Sequence, residues 1–157
     1  MRRSNIICCV VGMVIVLLLT ACQDNTVYHR YLHTNRAGWE RNDTLRFLIP
    51  PVKEAGRYSQ ELGLRTDGNY PFMSLTLIVE QTKGNTAIVR CDTMECKLIN
   101  KQGHPTGTGI NHYQYTFPLA TIDLEKEDSL RIVIRHDMKR ELLPGIMDVG
   151  IQMTKNR

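Results

Sequence analysis

The residues with the most specific chemistry are cysteines. Cys22 follows Leu19-Thr20-Ala21 at the end of an apolar run from Ile6 to Leu19, which itself follows Arg2 and Arg3. A bilayer-spanning helix needs about 20 apolar residues, so this shorter run reads as the core of a signal peptide. Small side chains at 20 and 21 fit a cleavage pocket, and the Cys22 thiol is then an acyl acceptor. The expectation is a lipoprotein signal peptide over residues 1–21, a lipidated N-terminus with a short polar tether over 22–26, and one domain over 27–157. An uncleaved membrane helix ending at a chance cysteine is the competing reading. Two or more acyl chains anchor stably where one does not, so the first expected partner is a membrane. Gln23, where an Asp often retains such proteins in the inner membrane, favours the outer one. Cys8 and Cys9 lie inside the apolar run and carry no chemistry.

Cys91 and Cys96 flank Asp92-Thr93-Met94-Glu95. Strand patterns lie on both sides, so the segment reads as a hairpin with a four-residue turn. The cysteines would then face each other, within the roughly 7 Å between Cα atoms that a disulfide requires. An envelope compartment permits oxidation. Free thiols are the alternative. A redox or zinc site would need a tighter Cys-x-x-Cys or further ligands, so no metal and no cofactor is expected.

Catalytic signatures are missing. The sequence has no Gly-x-Ser-x-Gly, no His-Glu-x-x-His and no phosphate-binding Walker loop. His29, His33, His104, His112 and His136 are scattered. His136-Asp137 could orient a general base, yet such a pair more often ends a strand. Glu125, Glu127 and Asp128 share one hydrophilic loop, and nothing pairs them across a cleft as a glycosidase requires. No catalytic residue is assigned. The aromatics are better ligand candidates: Trp39, after Gly38, and Tyr70, before Pro71, could stack on a sugar or pack on a partner protein. Burial as core anchors is the competing reading for both.

These residues need a scaffold, and the scaffold reads as strands. The chain has 157 residues, 42% hydrophobic and 23% charged, which suits one globular domain. Its net charge is +4, or +2 once Arg2 and Arg3 are removed, too weak for a nucleic-acid footprint. Apolar residues alternate at 45, 47 and 49, at 58, 62 and 64, at 73, 75, 77 and 79, at 130, 132 and 134, and at 147, 149, 151 and 153. A period of two marks strands with one buried face. Further strands are read at 27–31, 87–91, 96–100 and 112–117. Pro50-Pro51, Asp67-Gly68-Asn69, Lys83-Gly84-Asn85, Gln102-Gly103 and Pro144-Gly145 separate them. Residues 119–128 read as a loop after Pro118. The expected fold is all-β: an antiparallel β-sandwich of about nine short strands, jelly-roll-like.

Several blocks together carry a resemblance. They are Val27-Tyr28-His29, Gly38-Trp39-Glu40-Arg41-Asn42-Asp43-Thr44-Leu45, Glu54-Ala55-Gly56-Arg57-Tyr58, Tyr70-Pro71-Phe72, Asp92-Thr93-Met94-Glu95-Cys96, His136-Asp137-Met138 and Leu143-Pro144-Gly145-Ile146-Met147-Asp148-Val149-Gly150. The chain resembles the gliding motility lipoprotein GldH family of Bacteroidota over nearly all of its mature length. The Trp39 block and the Pro144–Gly150 block are the most specific. The resemblance implies a cell-envelope lipoprotein, working beside other lipoproteins of the gliding and type IX secretion apparatus, with no enzymatic activity. Cys22 maps onto the family's lipidated cysteine. A carbohydrate- or peptidoglycan-binding lipoprotein is the alternative, and it would need Trp39 or Tyr70 on the surface.

Overall fold

The computed structural model describes residues 25–84 and 88–157. The expected signal peptide, Cys22 and most of the tether lie outside the described residues. Ten strands follow in chain order: β1 (Thr26–His33), β2 (Trp39–Glu40), β3 (Leu45–Ile49), β4 (Gly56–Asp67), β5 (Ser74–Lys83), β6 (Ile88–Lys97), β7 (His112–Leu124), β8 (Leu130–His136), β9 (Leu142–Leu143) and β10 (Ile146–Lys155). Two four-stranded antiparallel sheets run β1-β10-β4-β7 and β3-β8-β5-β6, and β2 pairs with β9 alone. Numbering only the eight strands of the large sheets gives orders 1-8-3-6 and 2-7-4-5. That order is two interleaved Greek keys, the jelly roll.

The alternating residues fill the space between the sheets. Tyr58, Leu62 and Leu64 of β4 and Val149, Ile151 and Met153 of β10 face Leu75, Leu77 and Val79 of β5 and Ile132 and Ile134 of β8, all essentially without solvent exposure. Full burial of one such side chain is worth about 1.5–3 kcal/mol. A polar contact crosses this core. The amides of Gln60 (β4) and Gln81 (β5) bond each other reciprocally at 3.0 and 2.9 Å, both fully buried.

Three expectations need correction. Cys91 and Cys96 do not flank a turn, because β6 runs straight through residues 92–95. That stretch holds no Gly, Pro or Asn to reverse the chain, whereas Gly84, at φ +57°, sits at the end of β5 where the chain turns back. Second, β7 continues past Pro118 to Leu124 instead of looping. Pro118 is tolerated because β7 is an edge strand, where a missing N–H costs no ladder bond. The pairing with β4 shifts register just there, between Gln60 and Glu61. Third, the inward rows stop short of Met73 and Met147, which are 56% and 37% exposed.

On the outer face of the first sheet, Gly63 and Gly150 lie opposite each other on β4 and β10. Tyr31 of β1 fills the trough they leave, with Arg65 stacked 4.1 Å above its ring. A Cβ on Gly150 would lie 2.6 Å from the Tyr31 ring, and one on Gly63 would collide with its hydroxyl. Gly150→Ala is therefore expected to cost about 1–3 kcal/mol by overpacking. Urea unfolding measures this, and adding Tyr31→Ala should recover part of the loss. An unchanged midpoint for Gly150→Ala contradicts this packing.

Candidate functional site

The blocks most specific in the sequence come together at one end of the sandwich. This far end lies opposite the end where Thr26 enters β1. Trp39 in β2 pairs with Leu143 in β9. Its indole Nε1 donates to the Asp43 carbonyl at 3.1 Å. Its ring meets the His136 ring edge-on at 5.3 Å. Gly38, at φ +132°, lets β2 lie this close: a Cβ there would sit 2.7 Å from Leu142 Cγ. Tyr70 packs nearby, its hydroxyl donating to the Ser74 carbonyl at 2.8 Å and its ring edge-on to Phe72. Gly145, at φ +81°, lies against the backbone of Tyr70, where a Cβ would sit 2.7 Å from the Tyr70 Cα. Arg41 ties the outside of this plug to Asp137 at 3.4 Å.

Trp39 is 1% exposed and Tyr70 8%. Trp39 is sealed, and Tyr70 keeps only a sliver of surface on a cleft of about 160 Å³ shared with Tyr113 and Tyr115, so both rings serve as core anchors. Burial pushes the Tyr70 hydroxyl well above its ordinary range, so it stays protonated. His136, the candidate general base, is also sealed in. Its Nε2 donates to the Trp39 carbonyl at 3.1 Å, and its Nδ1 accepts from the Met138 N–H at 3.4 Å. Both nitrogens are used, and the ring has no exposed surface. Burial chiefly, with help from Arg41, holds its pKa below the ordinary histidine value.

The cysteines are free: Cys91 is exposed and Cys96 buried. Five residues of one strand separate them by about 17 Å, far beyond disulfide reach. The expected disulfide is therefore not part of this fold. Burial pushes the Cys96 thiol up to about 12, which keeps it an unreactive apolar filler.

The structure assembles one polar cluster that the sequence did not suggest. On the outer face beside Tyr31, Asp148 meets His33 Nδ1 with one oxygen and Arg65 at 3.7 Å with the other. The Asp148 side chain is 6% exposed and that of His33 87%. A groove of about 610 Å³ opens here, lined by His33, Thr34, Arg36, Asp67 and Met147 among others. A carboxylate-oriented imidazole facing solvent is one part of acid–base machinery. Thr34 has the one hydroxyl lining the groove, and it donates to the Ile146 carbonyl. The arrangement therefore suits polar contact better than reaction. Its members come from β1, β4 and β10, so only strand pairing brings them together. Among the described residues, no group of three metal-ligating side chains is clustered.

His136 generates a pH prediction. Because its folded pKa lies below its unfolded one, its contribution to stability is complete above about pH 6.5 and is lost as pH falls below that value. Urea midpoints should fall between pH 7 and pH 5. His136→Gln keeps a donor and an acceptor without titrating, so it should flatten that fall. An equal fall in both proteins would contradict the assignment.

A family model described as GldH lipoprotein matches residues 26–153. The gliding motility lipoprotein GldH of Flavobacterium johnsoniae is 27% identical over 146 residues, covering 87% of this chain and 89% of that protein. Solved structures give weaker likenesses. A family GH115 4-O-methyl-alpha-glucuronidase shares 12% identity at a TM-score of 0.47, over 87% of this chain and 18% of that one. A protein from Sulfurospirillum deleyianum shares 10% at 0.47, over 83% and 98%. A family 35 carbohydrate binding module from Clostridium thermocellum shares 10% at 0.38, over 82% and 95%. At those scores the three say nothing of what this chain binds. The family match runs from the first residue of β1 into the last turn of pairing in β10, and the chain belongs to the GldH lipoprotein family.

Proposed function

We propose that this protein is a lipid-anchored, non-enzymatic accessory component of the gliding and type IX secretion apparatus, or of a related envelope assembly. The family match over residues 26–153 carries the reading. Anchoring is assigned to Cys22, with residues 1–21 removed as a signal peptide and the outer membrane as the destination. The absence of an Asp after Cys22 supports that destination.

The fold gives this anchor a geometric consequence. Asn25 is already fastened, its carbonyl accepting from the Lys155 N–H at 3.0 Å. Three Cα steps of 3.8 Å separate Cys22 from Asn25, a reach of at most about 11 Å. The bilayer would therefore face the end carrying residues 50–55, residues 125–129 and the C-terminus. The plugged far end, with His33, Asp148 and Arg65, would point away and be offered to partners. The sealed His136 supports the non-enzymatic part of the reading. The burial of Trp39 and Tyr70 weighs against glycan binding, since both rings needed for stacking sit in the core.

Chemical crosslinking in the native envelope followed by pull-down of the tagged chain tests the proposal. Gliding or type IX secretion proteins should be recovered with the wild type and lost with Cys22→Ala. Recovery of membrane background alone from both, or equal recovery from both, would overturn it.

A further inference from the structure

The two outer faces of the sandwich differ in how their charges are matched. On the first sheet the outward arginines have carboxylate partners: Arg57 meets Asp123 at 3.2 Å and Arg65 meets Asp148 at 3.7 Å. On the second sheet they do not. Phe47 and Ile49 of β3 and Ile132, Ile134 and His136 of β8 point inward and are buried. Alternation leaves Arg46 and Leu48 of β3, and Arg131, Val133 and Arg135 of β8, on the outer face. Arg46, Arg131 and Arg135 enter no ion pair among the described residues. A carboxylate nearby is Glu80 of β5, opposite Val133. Arg46 also lies opposite Val133, and Leu48 lies opposite Arg131. Cations and apolar residues therefore alternate both along the two strands and across them. Leu48 is 66% exposed, and Arg131 and Arg135 stand about 13 Å apart on their strand.

We propose that this face of β3 and β8 binds a neighbouring envelope protein, through a segment that clusters Asp and Glu side chains around an apolar residue. Charge complementarity carries the argument. Three guanidinium groups without internal partners are matched by carboxylates, which each planar fork can take with two parallel hydrogen bonds. Leu48 and Val133 between them call for an apolar contact, and arginine with apolar side chains is the composition of a protein interface. A polyanionic glycan would answer the arginines but give Leu48 nothing apolar to bury. A lipid surface fits less well. β3 and β8 run from the anchored end towards the far end, so their outer face stands beside the molecule rather than beneath it. At the anchored end the lysines are already paired, Lys83 with Asp128 at 2.6 Å and Lys155 with Glu54. A partner rooted in the same membrane can meet the face from the side, with both anchors in one bilayer. The inference gives the accessory role proposed above its docking surface, and it rests on that reading.

The test uses full-length protein in its native envelope. The photocrosslinker p-benzoylphenylalanine replaces Leu48 or, for comparison, Gln114, which lies beside Arg65 on the outer face of the first sheet. Light should join position 48 to another protein. The captured peptide, read by mass spectrometry, should carry clustered Asp or Glu side chains beside an apolar residue. Arg46→Glu with Arg135→Glu should lower the yield about tenfold or more, since attraction becomes repulsion. Reversing the captured carboxylates to Arg should restore the yield with that variant, which separates a lost contact from a lost fold. Capture from position 114 but not from 48 would overturn this surface and leave the accessory role standing. Capture from neither would overturn both. A yield unmoved by the arginine reversals would overturn the proposal, as would capture at position 48 of only lipid, polysaccharide or a second copy of this chain.

Discussion

The side-chain amides of Gln60 and Gln81 bond each other across the gap between the two sheets. In an apolar core an unpaired amide costs several kcal/mol in the strictest reference state, so each glutamine is acceptable only where the other meets it. This fixes the first sheet against the second at one point. Around it, Leu62, Leu64, Val79, Ile132 and Ile151 can be completely buried, which they are. Any slide of β4 against β5 would break both amide bonds as well as the packing. The outer faces are what remain for contact with other molecules.

The far end shows how that constraint is completed. A sandwich of two sheets is open where its strands stop. Here β2 and β9 close it, with Trp39 and His136 inside and Gly38 and Gly145 permitting the close approach. These are the blocks that made the sequence recognisable, from Gly38-Trp39 to Leu143-Pro144-Gly145. Their distinctiveness comes from packing: a buried indole, two glycines in left-handed conformations, and a histidine with both nitrogens occupied. A signature of that kind identifies a family without naming a reaction. Attention therefore moves from the blocks themselves to the outer face of β3 and β8 and the polar cluster at Asp148.

The fold was largely legible because its strands have one dry face and one wet one. Phe47, Ile49, Leu75, Leu77, Ile132 and Ile134 are buried as their alternation requires. Where a strand is wet on both faces the signal fails. Ile88 to Cys91 are exposed on both sides, so β6 has no alternation in its first half and its sequence does not read as one strand. Trp39, open in sequence to burial or to ligand contact, is hard to read for a different reason. It lies in a two-residue strand, too short for any period, and its burial depends on residues more than 100 positions later. The His33–Asp148–Arg65 cluster left no trace in the sequence, since three strands contribute one member each. The proposed anchor at Cys22 stands apart, since it is read from local sequence alone: cleavage and acylation act on a linear signal.

Trp39, Tyr70 and His136, the residues most suggestive of a site in the sequence, are packed into the core, and the outer surfaces are what other molecules can reach. Trp39 is the one tryptophan in the chain, so its fluorescence reports this directly. The expected emission is that of a buried indole, resistant to iodide and acrylamide until urea unfolds the protein, and unchanged by envelope polysaccharides or peptidoglycan fragments. Red-shifted emission that iodide quenches in the folded protein, and that shifts when a glycan is added, would contradict it.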